Sequence, residues 1–136
     1  MVYLTRKEHF NAAHRLYNQA WTEEKNAEVF GRCANKNWHG HNYDLYVTVK
    51  GEPDPDTGFI MNAKELSALI KREVVERFDH RNLNVDVPYF RDLQPSTENF
   101  VKVIWDILEP YIAGCRLHSI RLQETENIYC EYFGER

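Results

Sequence analysis

Apolar and polar residues alternate strictly over 42–50. Tyr43, Leu45, Val47 and Val49 fall on one side, and Asp44, Tyr46, Thr48 and Lys50 on the other. A period of two, carried by β-branched and aromatic residues, predicts a half-buried strand. Downstream the period changes. Leu66, Leu69, Ile70, Val74 and Phe78 recur at three- and four-residue spacings, the apolar stripe of a helix. Asn62, with Glu65 three residues on, supplies its N-terminal cap. A second stripe, Phe100, Ile104, Ile107, Leu108 and Tyr111, opens near Pro95-Ser96-Thr97 and is placed to end at Gly114. Two more strands are predicted at 116–123 and 128–133, around the turn Thr125-Glu126-Asn127, and a less regular one over 2–14. Gly51 to Gly58 reads as a turn-rich loop. The stretch 79–94, with Pro88 and no sustained period, reads as another loop. The order is strand, long loop, strand, helix, helix, strand, strand. It implies an α+β fold in which two helices cover the apolar face of an antiparallel sheet. A sheet this small leaves edges that association of subunits can pair off.

Composition narrows the class. The 136 residues amount to one domain, 1–136, with 43% hydrophobic residues, enough for a core without staples. Seventeen basic and 21 acidic residues leave a net charge of −4, which excludes a nucleic-acid binder driven by overall positive charge. No apolar run approaches a membrane span, and Met1 to Phe10 contains no leader-like apolar core. Cys33, Cys115 and Cys130 show no CxxC spacing, so a reduced, cytoplasmic setting is expected.

The chemistry concentrates around His39-Gly40-His41. In an extended segment, residues two apart point the same way, so two imidazoles can share a metal ion. His14 is a candidate third ligand, although spacing alone does not select it from His9, His80 and His118. Three histidines with an open fourth position make the ligand count of a catalytic zinc site. Cys33, six residues before His39, has three readings: a fourth ligand, a free thiolate beside the metal, or a small packing residue. Cys115 and Cys130 fall on strand positions and read as packing residues. Asp79-His80 sets a carboxylate beside an imidazole, although adjacency is not a hydrogen bond. Glu124 ends a strand, where a carboxylate can grip a guanidine-like heterocycle by two parallel hydrogen bonds or simply face solvent. Glu98 reads as a complement to the helix dipole.

Taken together, several segments resemble the 6-pyruvoyl-tetrahydropterin synthase family. They are Phe10-Asn11-Ala12-Ala13-His14, Phe30-Gly31-Arg32-Cys33, Asn37-Trp38-His39-Gly40-His41-Asn42-Tyr43, Gly51-Glu52-Pro53-Asp54, Asp79-His80-Arg81-Asn82-Leu83, Asp86-Val87-Pro88, Ser96-Thr97-Glu98-Asn99 and Glu124-Thr125. They occur in family order over nearly the whole chain. The resemblance implies a tunnelling fold, with a four-stranded antiparallel sheet, two helices on one face, and subunits in barrel-like rings forming a homohexamer of two stacked trimers. It implies one zinc per subunit on His14, His39 and His41, with Cys33 as catalytic base and not a ligand. Asp79 and His80 are implied to complete proton transfer from a neighbouring subunit. Glu124 is implied to anchor the pterin, with Ser96 and Thr97 lining the same pocket.

The implied reaction converts 7,8-dihydroneopterin triphosphate to 6-pyruvoyl-tetrahydropterin with elimination of triphosphate, as in tetrahydrobiopterin biosynthesis. Magnesium is an accessory through the triphosphate, with no dedicated site in the chain. The alternative within the family is 6-carboxy-tetrahydropterin synthase of queuosine biosynthesis, which takes the same substrate and releases acetaldehyde. Five residues separate Cys33 from His39, a spacing that resembles the pyruvoyl-forming members. Two other classes compete: a non-enzymatic module stabilised by a closed zinc site, and a metal-independent hydrolase using Cys33 and His80.

Overall fold

The structure, a computed structural model, describes residues 1–135. In chain order the elements are β1 (Val2–His14), α1 (Glu23–Phe30), β2 (His39–Gly51), α2 (Ala63–Ile70), α3 (Glu76–Phe78), β3 (Arg81–Asn82), α4 (Thr97–Leu108), β4 (Arg116–Thr125) and β5 (Ile128–Tyr132). A π-helical turn, Lys71–Val75, joins α2 to α3, so the pair runs as one rod. The sheet order is β3-β1-β2-β4-β5. Pairing is antiparallel except between β3 and β1, where Arg81 and Asn82 run parallel to Ala12 and Ala13.

The expected alternation is met. Tyr43, Leu45, Val47 and Val49 have no solvent exposure, and Phe10, Ile120 and Leu122 join them from the flanking strands. The helices close over this face with Leu66, Leu69, Ile70, Val74 and Phe78 from the first rod, and with Phe100, Ile104 and Leu108 from α4. Burying one such side chain stabilises the fold by about 1.5–3 kcal/mol. Asn62 caps α2 by accepting from the Lys64 amide, and Ser96 caps α4 by accepting from the Asn99 amide.

Four expectations need correction. The sheet is five-stranded and mixed, not four-stranded and antiparallel. Two residues of β3 are too few to show a period, and their pairing depends on β1, remote in sequence. The α4 helix stops at Leu108, where a 3₁₀ turn containing Pro110 takes over. Tyr111 therefore leaves the stripe and is half exposed, while Val101 and Trp105 are buried in α4. Gly114, at φ 78°, belongs to the turn into β4 and not to the helix end.

The last correction is α1, which occupies what reads as a long loop. Its single buried residue is Asn26, so no apolar stripe announces it. Asn26 is 1% exposed. Its side-chain oxygen accepts from the Asn18 amide at 2.7 Å, and its nitrogen donates to the carbonyls of Asn18 and Thr22 at 2.9 and 3.0 Å. One amide thus ties the incoming chain to the helix. Asn26→Ala leaves these buried groups unpaired and is expected to cost about 2 kcal/mol, read as a lower denaturant midpoint at unchanged slope.

Candidate active site

The buried face of the sheet ends in imidazoles. On β1 the inward positions run Glu8, Phe10, Ala12, His14, and on β2 they run Val49, Val47, Leu45, Tyr43, His41, His39. The antiparallel register sets His14 directly opposite His39 and Ala12 opposite His41. His14, His39 and His41 each present a ring nitrogen, and these atoms lie within 4.8 Å of one another. Among the described residues this is the only such cluster, and neither Cys33 nor His80 belongs to it. The strand pairing selects His14 where spacing could not.

Protonation suits a cation. The Nδ1 of His14 lies 2.6 Å from the Pro95 carbonyl oxygen, which can only accept, so Nδ1 carries the hydrogen. Burial, opposed in part by this hydrogen bond, pushes the His14 pKa down to about 4, and the neighbouring His39 and His41 push the same way. Burial also lowers that of His39. At neutral pH the Nε2 of His14 is therefore a bare lone pair, buried and without a partner. A carboxylate oxygen of Glu124 sits 3.4 Å from it and 3.3 Å from Nε2 of His41. On His14, lone pair faces lone pair, an arrangement that a cation between them relieves. The three residues can thus hold a divalent metal through their converging ring nitrogens.

Gly40, between two of them, is not required by crowding. A Cβ there would meet only the Ala12 carbonyl oxygen, at an ordinary 3.6 Å.

Cys33 lies in the 3₁₀ turn Gly31–Ala34 after α1, half-buried and unpaired in any disulfide. Its carbonyl accepts from the Leu16 amide at 2.7 Å, which fastens this turn just past the end of β1. Asp79 and His80 do form the hydrogen bond that adjacency could not establish, Oδ2 to Nδ1 at 2.9 Å. The Asn11 amide donates to the other Asp79 oxygen at 2.9 Å, and the His80 amide donates to the Asn11 carbonyl at 2.6 Å. Asp79 is held below the usual carboxylate range, chiefly by that Asn11 amide. His80 has a left-handed backbone, φ 60°, and its side chain is 76% exposed. It lines an open cleft of about 500 Å³ that His41 also borders.

Ser96 spends its hydroxyl on capping α4. Thr97, one residue on, is 3% exposed and its hydroxyl has no partner. The buried Tyr43 hydroxyl is also unpartnered, and its ring stands beside His14 and His41. One feature has no signature in the sequence: the Pro95 carbonyl that orients His14, which comes from a residue remote in the chain. Glu124, a candidate site carboxylate in the sequence, does lie against the trio.

Fold and site together define a protein able to hold a metal ion at one end of a helix-covered sheet. The sequence profile of the 6-pyruvoyl tetrahydropterin synthase family matches residues 3–135, and the chain belongs to that family. It is 42% identical to human 6-pyruvoyl tetrahydrobiopterin synthase over 132 residues, 97% of this chain and 91% of the human one. It superposes on the structure of Caenorhabditis elegans 6-pyruvoyl tetrahydropterin synthase with a TM-score of 0.92 at 32% identity, covering 98% and 96% of the two chains. The 6-carboxy-5,6,7,8-tetrahydropterin synthase of Bacillus subtilis is more distant, 28% identical over 136 residues, 95% of this chain and 83% of that one. No helix among the described residues is long and apolar enough to cross a membrane.

Proposed function

We propose that this chain is a zinc-dependent lyase that converts 7,8-dihydroneopterin triphosphate to 6-pyruvoyl-tetrahydropterin with loss of triphosphate. The observation that carries this reading is the trio of converging imidazoles in a chain 42% identical to a synthase of that name. Zinc held by His14, His39 and His41 would supply Lewis acidity to substrate oxygens. Cys33, as base, takes the proton from the substrate side chain. His80 hands protons on, with Nδ1 fixed by Asp79 so that Nε2 is free for exchange. Glu124 binds the pterin through its amide and amino edge, and the buried Thr97 hydroxyl, which has no partner of its own, serves the same ring. Ser96 lines that pocket while holding the helix end.

We place the protein in a cytoplasmic homohexamer of two stacked trimers, with Asp79 and His80 serving a neighbouring subunit. The β3 and β5 edges and the exposure of His80 favour that arrangement. Magnesium would accompany the substrate triphosphate. The competing product is the 6-carboxy-tetrahydropterin of the more distant relative.

Mass spectrometry of the product formed from dihydroneopterin triphosphate separates the two. A retained three-carbon side chain is expected. A carboxylate at that position, with acetaldehyde released, would replace this reading by the other, and absence of any turnover would remove both.

A further inference from the structure

A second cleft, of about 640 Å³, begins where the metal-binding strands end. Its wall includes Arg15 and Trp38, each adjoining a histidine of the trio, and Pro95, whose carbonyl orients His14. Two donors in this wall are buried without an acceptor: Nε of Arg15 and Nε1 of Trp38. The Arg15 guanidinium is held in place. It stacks over the Tyr17 ring at 4.1 Å, and its Nη2 donates to the Ala34 carbonyl at 2.8 Å. The Arg15 amide donates to the Asn84 side chain at 2.8 Å. Trp38 has a left-handed backbone, φ 62°, rare for a bulky residue, so its placement is not a local preference. Arg91 adds a second, exposed cation to the wall, and Asp92 is the one carboxylate in it.

Buried donors left without acceptors, beside a fixed cation, call for a ligand made of acceptors. Phosphate oxygens meet that description, since a planar guanidinium and an indole N–H can both donate to them. We propose that this cleft is a polyphosphate subsite, in which Arg15, Trp38 and Arg91 hold the triphosphate of the substrate while its other end lies at the histidine trio. This rests on the substrate proposed above. It assigns to the chain's own residues the anchoring of the group that the reaction eliminates.

The test uses the zinc-loaded full chain and magnesium tripolyphosphate, with no pterin present. The magnesium salt is chosen to spare the zinc, and zinc content is measured after each titration. Calorimetry should show binding by the unaltered protein. Arg15→Lys keeps the charge but loses the fork and should bind about 10–100-fold more weakly, as should Trp38→Phe. Arg91→Gln, at an exposed position, should weaken binding several-fold with the fold intact. If Arg15→Lys does not fold, the other two variants decide.

Absence of binding by the unaltered protein, or equal binding by all variants, would overturn the subsite. The KM for dihydroneopterin triphosphate should rise in the variants, while the affinity for unphosphorylated dihydroneopterin stays constant. Tripolyphosphate binding in the expected order without turnover of the triphosphate would sink the substrate reading and leave the subsite standing. Normal KM in all three variants, with turnover intact, would do the reverse.

Discussion

Cys33→Ala is expected to keep its zinc and lose about 10²–10⁴-fold in turnover, the usual cost of removing a positioned base. The two halves of this expectation have separate physical grounds. Metal retention follows because the converging nitrogens come from three histidines and the cluster contains no cysteine. Those histidines are carried by paired strands, whereas Cys33 is carried by a 3₁₀ turn, so its loss leaves the ligands in place. Turnover falls because the thiol is half-buried and free, and no other thiol lies in that turn. Zinc content and product formation are measured on the same preparation. Loss of zinc would favour a closed structural site with Cys33 as fourth ligand. Near-normal turnover would pass the base role to His80. Mixing Cys33→Ala with His80→Ala subunits should restore part of the activity, since each mixed boundary can unite an intact cysteine with an intact histidine. If subunit exchange is demonstrated and no activity returns, the shared site is wrong.

His41→Ala should lower zinc affinity by more than the ~10–100-fold typical of losing a group that merely supports a ligand, because a ligand itself is removed. The cost extends past the missing nitrogen. Glu124 is left with one imidazole neighbour in place of two. Only 18% of the His41 side chain is exposed, so water does not simply replace it. Chelation should lower the melting temperature of the unaltered protein, since a ligand bound only by the folded state stabilises that state. The same chelator should leave His41→Ala nearly unmoved. A variant with full zinc occupancy would reject the histidine assignment.

The parts of this structure legible in the sequence are those encoded by a period. Tyr43 to Val49 declare a strand and its buried side, and Leu66 to Phe78 declare a helix even through a π-helical turn. The histidine pair on β2 is visible for the same reason, two residues apart on one side of a strand. Residues whose role comes from a remote partner are not legible in this way. His14 joins the trio because β1 pairs with β2 in one register, and the Asp79–His80 unit is braced by Asn11, which lies far earlier in the chain. The α1 helix escapes notice because a buried amide, not an apolar stripe, holds it. The resemblance to a family covered what spacing left open, yet it implied four strands, and the two-residue β3 emerges only in three dimensions.

The ladder between β1 and β2 is unbroken from Val2↔Gly51 to His14↔His39. A slip of one residue would turn every inward side chain of the moved strand to the opposite face, its histidines with them. A molecule paired in the wrong register therefore has no complete set of nitrogens to offer. A metal ion held there would read the far end of the ladder, because it would stabilise only chains that had zipped in register.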